Sequence, residues 1–136
     1  MIVGVGIDLC AIARMRDSLD RFGDRMWARI LSERERAELA GRADRATALA
    51  GRFAAKEALV KALAGAPGVG WHDIEVHRER GSPPSIVLSG PARELASKRE
   101  VGRVFLSITH DAGMAAAVVI LERDEAATLR RNGGAG

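Results

Sequence analysis

The sequence predicts an α+β fold: a single domain in which a small antiparallel sheet packs against a long helix. Three observations carry that expectation. The alanine- and leucine-rich stretch 44–64 is long enough for several helical turns. RVFLSITH and MAAAVVILE are two β-rich runs joined by the short turn DAG, the pattern of a hairpin. Between these elements lies neither a domain linker nor an internal repeat, so the 136 residues read as one unit with room for a real core.

Each element has its own signal. IVGVGIDLC (2–10) mixes β-branched residues with glycine and reads as a first strand ending near Asp8. In AIARMRDSLDRFG, the residues Ile12, Met15, Leu19 and Phe22 recur at helical spacing, and Gly23 stops the helix. DRMWARIL gives a short turn packing Trp27, Ile30 and Leu31. SERERAEL opens with the capping box Ser32–Glu35. After the long helix, GAPGVGW breaks the chain. IEVHRER (74–80) alternates as a half-buried strand, GSPP turns, and SIVLSG returns as a second strand. PARELASKRE starts a helix with Pro91 in its first turn. The hairpin follows. The expected domain covers 1–122, and 123–136 reads as a frayed, flexible C-terminal tail.

Composition narrows the function. The net charge is only +3, with 21 basic residues against 18 acidic ones, and there are two Trp, three Phe and no Tyr. A nucleic-acid binder would show a denser basic patch interleaved with aromatics. No apolar run approaches a membrane span, and MIVGVGIDLC lacks a basic leader and meets Asp8 early. With Cys10 the lone cysteine, no intrachain disulfide forms. A soluble, cytoplasmic protein is expected.

The long helix raises the chemical question, because it carries Lys56, Glu57 and Lys61. On a wheel with Phe53 at zero, Leu49, Val60 and Leu63 fall in one arc with Phe53, Lys56 lies inside it, and alanines occupy the other side. Either Glu57–Lys61 is an ordinary i,i+4 pair with Lys56 snorkelling to solvent, or the arc borders a cleft that the charges line. Asp8, at a strand end, is either a cap for the next helix or, with Glu57, a hard oxygen ligand suited to Mg²⁺ and a substrate phosphate. Lys61 would then neutralise phosphate charge.

GVGIDLCAIARM followed some fifty residues later by FAAKEALVKAL resembles the paired signature of the 4′-phosphopantetheinyl transferases. The likeness runs nearly end to end, through LAGRFAAKEALVKAL, DIEV, the turn GSP and SITH…AAAVVILE. It is closest to the bacterial holo-acyl-carrier-protein synthases. The resemblance implies that fold, and transfer of the 4′-phosphopantetheine arm of coenzyme A to a serine of apo acyl carrier protein, releasing adenosine 3′,5′-bisphosphate. It implies Mg²⁺ between the pyrophosphate and the motif acids Asp8 and Glu57, and Lys61 on phosphate near the reacting centre. It places Arg52, Pro83 and His110 around the nucleotide and its 3′-phosphate, and includes Lys56 as a signature lysine on the cofactor side. It further implies a homotrimer with active sites between protomers.

Phosphoryl-type transfer needs charge neutralisation and in-line positioning more than covalent help, so direct attack by the carrier serine is expected. Candidates for the general base are a water on the metal, Glu57, Asp8 and Asp111. Asp111 is a departure: the family often shows Ser-His followed by a small or polar residue, whereas the run here is Thr109-His110-Asp111, and Asp111 reads as base, extra ligand or turn cap. An acidic carrier helix would dock on Arg14, which the resemblance marks, and on Arg21 and Arg25, which share its stripe if the first helix runs on past Gly23. Cys10 reads as core, His72 and His77 as surface groups, and Gly4 and Gly6 form no dinucleotide fingerprint. The rival readings are a module that binds acidic protein or nucleic acid through these arginines, and a coenzyme A-binding regulator without transfer activity.

Overall fold

The computed structural model describes residues 1–134, without the side chains at 127 and 128. Three strands form the main sheet: β1 (Ile2–Ala11), β4 (Val101–Asp111) and β5 (Met114–Arg123), in the order β1-β5-β4 and antiparallel throughout. The β4–β5 turn is Ala112-Gly113, both at positive φ, which matches the right-handed twist of a tight hairpin. A second ribbon pairs β2 (Ile74–His77) with β3 (Ser85–Leu88). The long helix expected at 44–64 is Arg45–Ala62; it is the fourth helix, α4, after α1 (Ile12–Phe22), α2 (Asp24–Ile30) and α3 (Glu33–Glu38). Helix α5 is Gly90–Lys98, with Pro91 in its first turn.

α4 lies across one face of the main sheet, and its fit is unusually close. A Cβ on Gly4 would stand 2.1 Å from the Ala62 carbonyl oxygen, and one on Gly6 would stand 1.9 Å from that of Ala58. No side chain fits there. The two glycines, which announce no nucleotide fingerprint, exist to let backbone meet backbone. Opposite them on α4, Ala54, Ala55 and Ala58 are fully buried, so the alanine side is the packed side of the helix and not an open one. Leu49, Leu59 and Leu63 are buried as well, each contributing roughly 1.5–3 kcal/mol from area removed from water.

The first helix does stop at Gly23, whose φ of 57° turns the chain before α2. The Ser32–Glu35 capping box forms as expected. Strand β1 runs three residues past Asp8, so Asp8 sits within the paired strand rather than at its end.

Arg123 completes β5, and Glu125–Gly133, within the expected tail, forms helix α6. The Asp124 side chain caps it by accepting from the Ala126 N–H at 3.0 Å, and Glu100 holds both Arg123 (2.8 Å) and Arg131. Residues 135 and 136 of the expected tail lie outside the described residues. Among the described residues, no helix is long and apolar enough to cross a membrane.

Gly6→Ala must push β1 and α4 apart. We expect a loss of about 1–3 kcal/mol or more in urea denaturation, the cost of overpacking a close-fitted core; an unchanged midpoint would show that the strand–helix contact has slack.

Candidate active site

The least buried side chains of α4's central turns, Phe53, Glu57, Val60 and Lys61, share one face, spaced at i, i+4, i+7 and i+8. On β1, Gly4, Gly6, Asp8 and Cys10 alternate toward the same helix, so Asp8 emerges where the glycines end. Lys61 Nζ donates to Asp8 Oδ1 at 2.8 Å and to the Ile7 carbonyl at 3.1 Å. The lysine therefore chooses the strand and not its i,i+4 neighbour; Glu57 has no hydrogen-bond or ion-pair partner among the described residues. From α1, the Arg14 guanidinium lies over the Phe53 ring, 5.9 Å from its centroid. Asp8, Glu57, Lys61 and Arg14 thus border one face.

Arg52 and His110 meet elsewhere, in a cavity of about 80 Å³. Its walls also hold Arg42, Arg78, Val76 and Pro84. Arg42 is paired with Asp44 in a two-pronged bond of 2.8 and 2.6 Å. Arg52 is buried, and its Nε has no hydrogen-bond partner among the described residues. Burial above all, and then Arg42, push the Arg52 guanidinium below its ordinary pKa, while Glu35 and Glu38 pull the other way. A pocket that concentrates positive charge and leaves a buried donor unpaired suits an anion. Arg42 and Arg78 had no motif to mark them; the signal for Arg78 was its place in the basic run HRER. The resemblance pointed to Pro83, whereas Pro84 lines this wall and Pro83 is exposed.

Two further readings change. Lys56 is completely buried and touches no cleft: its Nζ donates to Glu35 Oε1 at 2.6 Å, the Ile30 carbonyl at 2.6 Å and the Trp71 carbonyl at 3.0 Å. All three donors are spent inside the protein, so Lys56 has none left for coenzyme A. Burial drives its pKa down, and Glu35 opposes that. Asp111 Oδ1 accepts from the Ala112 N–H at 2.8 Å and caps the hairpin turn. Asp8 is in register with Ala117 and Ile108, three rows from Asp111. That separates the two acids by about 10 Å along the strands and two strands across, with Asp111 on the opposite face by alternation. Within one chain it is neither base nor ligand beside Asp8.

On the docking side, the break at Gly23 puts Arg25 on α2, so the single-helix stripe does not exist. Folding nevertheless brings Ser18, Phe22, Arg25, Met26 and Arg29 around one groove of about 310 Å³, and Arg21 lies over the Phe22 ring at 5.2 Å. His77, read as a surface group, is buried: its Nδ1 is 2.9 Å from Glu38 Oε1 and its Nε2 is 3.6 Å from Glu75 Oε1. Cys10 is core, and burial raises its pKa although Arg14 acts to lower it. A thiol so placed is no nucleophile.

The comparisons with known proteins give the family and the fold. Residues 4–119 match the family model of the 4′-phosphopantetheinyl transferase superfamily, and the chain belongs to that superfamily. Its relatives there are holo-acyl-carrier-protein synthases. The holo-[acyl-carrier-protein] synthase of Paramagnetospirillum magneticum is 48% identical over 132 residues, 93% of this chain and 100% of the relative. The crystal structure of the Neisseria meningitidis synthase superposes with a TM-score of 0.82 at 27% identity, covering 90% of this chain and 100% of that one. A Bacillus anthracis synthase in complex with CoA (3′,5′-ADP) has a TM-score of 0.73 at 38% identity, covering 90% and 98%.

Proposed function

We infer that this protein transfers the 4′-phosphopantetheine group of coenzyme A to a serine of apo acyl carrier protein, giving holo carrier protein and adenosine 3′,5′-bisphosphate, in the cytoplasm and for fatty-acid or polyketide synthesis. Beyond membership of the superfamily, one observation carries the chemistry: Asp8 and Lys61 are in contact, with Glu57 one turn from Lys61 on the same helix face. The reaction forms a bond between the serine oxygen and the phosphorus that carries the pantetheine arm. It breaks that phosphorus's bond to the bridging oxygen, which leaves with the adenosine bisphosphate. Lys61, exposed beyond its bond to Asp8, neutralises charge on the phosphates. Glu57, the carboxylate of this face without a partner among the described residues, is free to hold a metal with Asp8, and the serine proton passes to water. Arg52 and His110 grip the phosphorylated nucleotide end in the basic pocket.

Asp8 and Glu57 fit Mg²⁺. Two carboxylates suit an ion that takes one or two of them and completes its shell with water and substrate phosphate. When bound, it would supply Lewis-acid stabilisation of pyrophosphate charge.

Two features favour a homotrimer with shared active sites. Arg52 and Glu57 stand about 140° apart around α4, so one chain's basic pocket and carboxylate face look in different directions; a neighbour's pocket is needed to bring both ends of one coenzyme A into reach. The sheet face away from α4 is apolar and open: Val5, Ile7 and Leu9 are 58, 64 and 62% exposed, aligned with Ala116, Val118 and Ile120 and, across β4, with Phe105. Monomers rarely leave such a continuous patch to water. The carrier, an acidic protein, would dock on Arg14, Arg21 and Arg25 along the α1–α2 groove.

Intact mass of an apo carrier protein incubated with coenzyme A tests the reaction. The carrier should gain one phosphopantetheine with Mg²⁺ and none with EDTA, and Asp8→Ala or Glu57→Ala should lower the rate at least about a hundredfold with the fold intact. Full activity in either variant would remove that residue from the metal. Arg14→Glu should raise KM for the carrier, and rising salt should erase the difference between variant and wild type. Light scattering should find three copies, and Ile7→Lys should yield inactive monomers; an active monomer would refute the shared site.

A further inference from the structure

We propose that Glu35 and Lys56 are a pair of positioning residues that fix the two walls of the basic pocket against each other and thereby set the affinity for coenzyme A. The proposal rests on the transferase reading above. Neither residue touches the pocket. Both are buried, Glu35 at 1% and Lys56 at 0% exposure. The carboxylate accepts from Lys56 Nζ at 2.6 Å and from the Ser32 N–H at 3.0 Å through Oε1, and from the Val76 N–H at 3.1 Å through Oε2. The ammonium reaches the last carbonyl of α2, at Ile30, and the Trp71 carbonyl just before β2. One ion pair therefore ties together α2, α3, α4, β2 and the turn that precedes it.

Two of the pocket's walls, α4 and the end of β2, are among those elements, and the rest comes from β4 and the turns at Arg42 and Pro84. Arg52 stands one turn before Lys56 on the same side of α4, and Val76, whose N–H the carboxylate holds, lies two residues before Arg78. Moving Lys56 relative to Val76 moves Arg52 relative to Arg78. An isolated buried charge costs several kcal/mol, so the two ions and five elements are held in one arrangement. A hydrophobic pair of similar volume would fill the space without enforcing that register. The pocket is small, and misplacement of a binding group by about 1 Å can cost two orders of magnitude.

The test separates this role from plain stabilisation. Glu35→Gln, Lys56→Met and the double variant Glu35→Leu/Lys56→Met are compared with wild type for Tm, for KM toward coenzyme A and toward carrier, and for binding of adenosine 3′,5′-bisphosphate by calorimetry. The single variants are expected to lose stability. The double variant, with no unpaired charge but with the Ser32 and Val76 N–H groups left without their acceptor, recovers part of the Tm, yet its KM for coenzyme A and its Kd for the bisphosphate remain about tenfold or more above wild type, with KM for the carrier little changed. If the double variant regains wild-type bisphosphate affinity along with its Tm, or if both KM values rise together, the pair is structural only and the proposal falls. Should the double variant not fold, Lys56→Met decides: it leaves both Glu35 oxygens in place for Ser32 and Val76 and must still weaken bisphosphate binding. Wild type that binds the bisphosphate without transferring anything would overturn the transferase reading instead.

Discussion

Everything in this molecule is referred to the line where β1 lies on α4. Gly4 and Gly6 leave the strand without side chains over the Ala58–Ala62 turn, and the helix answers with alanine, so the two backbones close to a separation no other residue would permit. Asp8 is the first position on that face of the strand to carry a functional group. It emerges against α4 with its reach already fixed, and the flexible part of the contact is supplied by Lys61 alone. A carboxylate and an ammonium of opposite charge meet here without either being sealed from solvent. That is the arrangement a site needs when a phosphate has to displace or join them.

α4 works on two sides at once. Toward Asp8 it shows Glu57 and Lys61; toward β2 it shows Arg52 and, deeper, Lys56. The buried Lys56–Glu35 pair belongs to the second side. The cost of desolvating two ions is offset by five donor–acceptor contacts, several of them to backbone groups at helix and strand ends that would otherwise lack partners. The same glutamate also closes the capping box of α3. A residue that reads as a local cap is the hub of a long-range knot.

Much of this was legible in the sequence. The order of elements, the stop at Gly23, the Ser32–Glu35 box and the terminal hairpin follow from local chemistry, because caps, turns and period-two alternation are written in adjacent residues. Asp8, Glu57 and Lys61 were found by residue type and spacing. The direction of Lys56 was not legible: a wheel orders residues around an axis but does not say that Glu35 lies beyond it. The close approach at Gly6, the burial of His77 between two glutamates, and the gathering of Arg42 and Arg78 beside Arg52 likewise depend on residues that are distant along the chain. Helix α6 was missed because its anchor, Glu100, precedes it by two strands.

The packing of α4 on all but its active-site face has a consequence for how the chain can change over time. A helix gripped on all but one side behaves like a spindle whose angular phase is shared by all its neighbours. One residue inserted between Phe53 and Lys56 would advance everything after it by about 100° and 1.5 Å. Lys56 would swing off Glu35, Lys61 off Asp8, and a larger residue would replace alanine over Gly6. A turn such as 64–70 can absorb a change of length without rotating these contacts, whereas the interior of this helix can accept substitution only.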